Sequence, residues 1–162
     1  VLVNPTDYTS RANIMWAGTV AHNDITGCGT TGDWATHCIE HELSGMFDVS
    51  HGAGLAAVWG SWARYTRQEN LPRFVRFAHN VMGVDTADMG CIEASEAGIK
   101  ALEAFFQKIG MPTNIHSLIG RDVTDGEIET MADKCTNGDT ITVGGLMQLR
   151  KADVMEIYRM AR

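Results

Sequence analysis

No stretch of this chain alternates apolar and polar residues for longer than Thr140-Ile141-Thr142-Val143-Gly144, and that absence narrows the fold more than any single motif does. A half-buried strand shows its alternation over about four to eight residues. A chain without such runs must bury its apolar surface through helices, and here the apolar residues do recur at helical spacing. Ala12, Ile14, Met15, Ala17, Val20 and Ala21 form one such stripe in a helix entering at Pro5 or Thr6. The glycines of "ITGCGTTGD" (residues 25–33) end it, and Asp33 is placed to cap a second helix over about 34–45.

The segment "HGAGLAAVWGSWARYTRQE" (51–69) reads as a third helix built from small residues. Gly52, Gly54 and Gly60 each weaken it by roughly 1 kcal/mol relative to Ala. Further helices are predicted over about 71–82, 88–109, 125–134 and 152–161. The longest ends on Lys108 and Gly110, with Pro112 just beyond, a charge-and-glycine stop. With no repeat, linker or low-complexity tract, residues 1–162 read as a single all-α domain, a helical bundle.

Composition narrows the function. At 44% hydrophobic and 20% charged residues the chain is globular. A net charge of −7 without any basic cluster excludes a general binder of nucleic-acid backbones. No run approaches the roughly 20 apolar residues of a membrane span. "VLVNPTDY" lacks the basic and apolar regions of a secretory signal. Cys28, Cys38, Cys91 and Cys135 form no C-x-x-C pair and read as free thiols of a reducing, cytoplasmic setting. The missing initiator Met suggests a processed or truncated chain.

Chemistry concentrates in "HCIEHELSGMFDVSH" (37–51), which holds three of the six histidines. His37 and His41, four apart, lie on one face of the second helix. His51 stands where the third helix begins, so a helical hairpin can return it beside His37. Imidazoles from separate elements can then share a divalent metal. Two assignments compete with the plain one of ordinary hydrogen-bonded histidines. H-x-x-E-H, taken alone, is the inverted metallopeptidase pattern, with His37 and His41 as ligands and Glu40 as general base. It needs a third ligand, which Glu93, Glu96, Glu103 or Glu127 could supply, and it leaves His51 unused. The longer pattern instead pairs His37 with His51.

Three segments carry a resemblance: "RANIMWAGTVAHN" (11–23), "DWATHCIEHELSGMFDVSHGAGLAAVWGSW" (33–62) and "KIGMPTNI" (108–115). With the C-terminal "DVMEIYRMAR" they make the chain, from about Tyr8 onward, resemble the C-terminal helical domain of iron-containing (group III) alcohol dehydrogenases, nearest the butanol dehydrogenase branch. The fold so implied is the dehydroquinate synthase-like helical part of those enzymes. In that family one Asp and three His hold the metal, the last two histidines fourteen positions apart, and His37 and His51 match that pair. The histidine between them, His41 here, lies in the cleft near nicotinamide and substrate, and Glu40 acquires no required catalytic role.

Complete enzymes of the family also carry a Rossmann-like domain with a glycine-rich turn after a strand. "GCGTTGD" (27–33) has the glycines but falls between helices. The family's first two ligands, an Asp and a His four apart, precede the matching segment, and the same spacing in Asp33 and His37 is coincidental. The resemblance therefore implies a fragment lacking its cofactor domain and carrying half of a metal site.

The whole enzyme would use Fe2+ or Zn2+ and NAD or NADP to interconvert primary alcohols and aldehydes, with the metal as Lewis acid and His41 as proton relay or wall of the cleft. A small-molecule substrate, the missing domain and a homo-oligomer are the partners such an enzyme would have. The alternatives are the metallopeptidase and a helical binding module without chemistry of its own. His22, His79 and His116 read as structural or solvent-facing. The methionines with Trp16, Trp34, Trp59 and Trp62 read as core, and Glu93, Glu96 and Glu103 as a solvated helix face.

Overall fold

The computed structural model describes residues Val1–Arg162. They form two units, Val1–Gly32 and Asp33–Arg162.

The first unit contains helix α1 (Tyr8–His22) and a 3-10 turn at Ile25–Gly27. Asp7 sets the start of α1, because its carboxylate accepts the Ser10 N–H at 2.7 Å. That bond draws the boundary past the Pro5 or Thr6 entry predicted from sequence. No residue of α1 is buried, and Ile14, Met15 and Trp16 are all more than half exposed. The apolar stripe is present, but one helix and one turn are too small to enclose a core of their own. Trp16 is accordingly not a core residue.

The second unit is a bundle of seven helices: α2 (Ala35–Phe47), α3 (His51–Thr66), α4 (Leu71–Arg76), α5 (Cys91–Lys108), α6 (Ile115–Ile119), α7 (Asp125–Cys135) and α8 (Lys151–Ala161). The all-α expectation holds, since the predicted alternation at residues 140–144 yields a single antiparallel bridge, Val143 to Leu149. None of the helices is long and apolar enough to cross a membrane.

Three helices enclose the main core with α2. Ala35, Ile39 and Leu43 of α2 meet Ile128, Met131 and Ala132 of α7 and Val154, Ile157 and Tyr158 of α8. The Tyr158 hydroxyl, wholly buried, donates to the Ile39 carbonyl at 2.6 Å and pins α8 to α2. Helix α3 adds Val58 to this core, and its small residues, among them Ala56, Ala57 and Ala63, are buried and let its neighbours approach closely. A second cluster of Ala63, Phe74 and Ile99, with Trp59 and Trp62 against it, joins α3 to α4 and α5.

Local signals place the helix ends. Asp33 lies one residue before the first residue outside α2, yet still serves its start. One carboxylate oxygen accepts the Ala35 N–H at 2.8 Å, and the other accepts the N–H groups of Gly145 and Leu146 at 3.0 and 2.7 Å. Thr124 and Glu127 form a reciprocal capping box on α7. The predicted stop of α5 is a Schellman turn: Gly110 is left-handed (φ 80°), Met111 N–H donates to Phe106 and Gly110 N–H to Gln107. The predicted helix 71–82 becomes α4 plus one π-helical turn, Phe77–Val81. At five residues, α6 is too short to show a period and was not predicted; its Asn114 cap accepts the Ser117 N–H at 2.7 Å.

Two expectations about side chains need correction. Glu96 and Glu103 are not a solvated face. Arg64 donates to both oxygens of Glu103 at 2.6 and 2.8 Å and to Glu96 at 3.0 Å, and Arg67 donates to Glu96 at 2.6 Å. Burial pushes the Glu96 carboxyl up, but the two guanidiniums outweigh it and hold it below its usual range. Only Glu93 of the three is exposed as expected. Trp34, likewise, is 59% exposed, whereas Trp59 and Trp62 do pack against core.

Replacing Tyr158 by Phe removes one buried hydrogen bond while keeping the ring. Urea denaturation is expected to show a loss of about 1 kcal/mol with an unchanged slope.

Candidate metal centre

Helix α2 turns 13 residues and ends where Asp48 adopts a left-handed conformation (φ 53°), its N–H donating to the Ser44 carbonyl at 3.0 Å. After Val49 and Ser50 the chain reverses into α3, whose first residue is His51. The short reversal sets His51 across from the face of α2 that carries His37 and His41. The ring centroids stand 5.1 Å apart for His37 and His51, 5.3 Å for His41 and His51, and 6.3 Å for His37 and His41. One nitrogen of each lies within 4.8 Å of the others.

Nitrogens that share a tetrahedral ion at about 2.1 Å stand roughly 3.4 Å apart. Side-chain adjustments on the order of 1 Å therefore suffice to bring these imidazoles onto one ion. His37 is half-buried, while His41 and His51 are exposed, so the group opens outward and leaves room for further ligands. The donor set fits a borderline metal such as Fe2+ or Zn2+ and does not fit Ca2+ or Mg2+, which require oxygen.

Beneath the histidines lies Glu40, wholly buried. One of its oxygens accepts the Ser44 hydroxyl, and the other meets Nδ1 of His51. Helix α3 crosses directly above it. A Cβ added to Gly54 would lie 2.4 Å from Glu40 Oε1 and 2.7 Å from its Cγ, so only glycine leaves the carboxylate its slot.

On the other side of His37, Leu55 and Trp59 of α3 and Phe106, Ile109 and Met111 at the end of α5 line an apolar cavity of about 460 Å³. Trp34 stands edge-on to the His37 ring, centroids 4.9 Å apart.

The whole of residues 1–162 matches the profile of the Fe-containing alcohol dehydrogenase family, C-terminal. The chain belongs to this family. It is 37% identical over 154 residues to a probable NADH-dependent butanol dehydrogenase 1 of Bacillus subtilis, covering 94% of this chain and 38% of that protein. It is 34% identical over 155 residues to NADH-dependent butanol dehydrogenase A of Clostridium acetobutylicum, covering 94% and 39%. Among solved structures, NADH-dependent butanol dehydrogenase A of Thermotoga maritima superposes with a TM-score of 0.86 at 32% identity, over 98% of this chain and 40% of that one. The aldehyde reductase YqhD of E. coli gives 0.90 at 30%, over 99% and 41%. The chain thus spans about two fifths of the length of the relatives it matches.

The structure brings His37, His41 and His51 together and leaves the other histidines apart. His22 is exposed, His79 meets the Val84 carbonyl at 3.4 Å and His116 pairs with Asp122 at 2.7 Å. Asp33, spent on backbone N–H groups, does not join the cluster. Sequence reasoning missed the part played by Glu40 and Gly54. The signal was there in an acid on the core face of an amphipathic helix and in glycines after His51 that neither motif required.

Gly54→Ala places a methyl group against the Glu40 carboxylate. A loss of about 1–3 kcal/mol in denaturation, larger than for Gly52→Ala, whose added Cβ meets nothing, is the expected outcome.

Proposed function

We propose that this chain is the metal-binding domain of an NAD(P)-linked alcohol dehydrogenase that interconverts primary alcohols and aldehydes. The observation that carries the proposal is the convergence of His37 and His51 from two helices, with a nitrogen of each within 4.8 Å, in a chain of this family. In this reading His37 and His51 hold Fe2+ or Zn2+ together with an Asp and a His from the part of the enzyme that the relatives have and these residues do not span. The nicotinamide cofactor, NAD or NADP, is bound by that same part, in a Rossmann-like domain. NADH named for the butanol dehydrogenases and NADPH for an E. coli aldehyde reductase support a nicotinamide partner without choosing between the two.

The ion, when bound, supplies Lewis-acid polarisation of the substrate oxygen. The chain's own residues provide the rest. His51 offers the nitrogen that Glu40 leaves free. His41, exposed beside the pair, is placed to take up or return the hydroxyl proton at a ring nitrogen, since imidazole is the side chain suited to proton exchange near neutrality. The cavity beside His37 presents apolar walls to a short carbon chain. A cytoplasmic enzyme with free thiols accords with these features.

The metallopeptidase reading finds no support in the site. Its general base would be Glu40, but that carboxylate is wholly buried and engaged by Ser44 and His51, with no path to a metal-bound water.

In the full-length enzyme, His37→Ala and His51→Ala are expected to lower bound metal and butanol turnover by more than about 100-fold. His41→Ala should keep the metal and slow turnover about 10²–10⁴-fold. Residues 1–162 alone should neither oxidise butanol nor bind NAD(P) tightly. A His51→Ala enzyme with full metal content and activity would overturn the assignment.

A further inference from the structure

Glu40 is the only acidic or basic residue of the chain that is fully buried; the remaining buried polar residues are serines and threonines. A carboxylate in such a place costs several kcal/mol unless its oxygens are matched by donors. Both are matched, by the Ser44 hydroxyl and by Nδ1 of His51. Nothing in packing calls for an acid here. An apolar side chain of similar volume would extend the stripe of Ala35, Ile39 and Leu43 that already lines the core.

The bond to His51 has a directional consequence. An imidazole that gives its Nδ1 proton to a carboxylate exposes Nε2 as a lone pair on the opposite edge of the ring. The His51 ring stands 5.1 Å from that of His37 and 5.3 Å from that of His41, centroid to centroid, so a free nitrogen on it belongs to the same cluster. A carboxylate behind a ligating histidine also makes its free nitrogen a stronger donor. Gly54 completes the device, because any side chain there would occupy the slot of the carboxylate.

We propose that Glu40 is a positioning residue for the metal: held by Ser44 and admitted by Gly54, it fixes His51 in the Nδ1–H tautomer and leaves Nε2 as the nitrogen that would bind the ion. This rests on His37 and His51 being ligands. It gives the glutamate of H-x-x-E-H a place behind the site, in contrast to the attacking role of the peptidase motif.

Glu40→Leu in the full-length protein separates positioning from structure. Leucine fills the volume, Ser44 keeps the Val49 carbonyl as a partner at 3.3 Å, and the half-exposed His51 ring can turn to water. The metal-free variant is therefore expected to unfold at or above the wild-type denaturant midpoint. Its affinity for Zn2+, measured by chelator competition, is expected to fall about 10–100-fold, with a changed visible spectrum for Co2+. Glu40→Gln, which retains an acceptor for Nδ1–H, should fall between the two.

Unchanged Zn2+ affinity and an unchanged Co2+ spectrum in Glu40→Leu would overturn the proposal. So would a His51 found in the Nε2–H form by ¹⁵N NMR of histidine-labelled, metal-free wild-type protein, a measurement that stands even if the variant does not fold. Failure of the underlying assignment looks different: wild-type protein that takes up no metal, or a His51→Ala protein that binds it as tightly as wild type.

Discussion

The close approach of α2 and α3 at Glu40 and Gly54 governs this molecule. Two helices with ordinary side chains pack at about 8–10 Å, and only a glycine at the crossing admits a second element's carboxylate beneath the backbone. That contact joins the core below to the site above. Downward, α2 delivers Ile39 and Leu43 to α7 and α8, and the Tyr158 hydroxyl closes the set on the Ile39 carbonyl. Upward, the same contact brings the first residue of α3 over the exposed edge of α2, where three imidazoles meet. A change at the crossing therefore reaches stability and site together.

Helix α3 is the shared wall of everything described. Its N-terminal residue faces the histidines of α2, Leu55 and Trp59 line the apolar cavity, and Ala63 belongs to the second core cluster. Farther along, Gly60 repeats the device of Gly54 on another flank, since a Cβ there would meet Glu103 Oε1 at 2.0 Å. The Arg64–Glu103 pair it admits ties α3 to α5 and so to the far wall of the cavity. Ion pairs of this partly exposed kind add little to stability on average; their effect here is geometric.

Much of this was legible in the sequence because its signals are local. Helical periodicity, the Asp33 turn, the Gly110 stop and the four-residue spacing of His37 and His41 all act within a few positions. What escaped depends on partners far along the chain. Glu96 and Glu103 look solvated until Arg64 of α3 and Arg67 just past its end reach them from about thirty to forty residues away. The glycines of α3 look like weak points of a helix until Glu40 and Glu103 are seen to need their missing side chains. Glu40 is a general base in one reading of the histidine segment and idle in the other, and its burial against Ser44 and His51 is visible only once α3 is in place.

Asp48 has a last implication. With its left-handed turn, only Asp48, Val49 and Ser50 separate the end of α2 from His51, so the interval from His37 to His51 acts as a ruler cut to one length. Each residue of an α-helix advances the face by about 100°. Adding or removing a single residue between the two histidines would swing one of them from the shared site onto another face, although every other residue stayed the same. A change in loop length, which most surfaces of a helical bundle tolerate, is closed to this turn if the three imidazoles are to stay together.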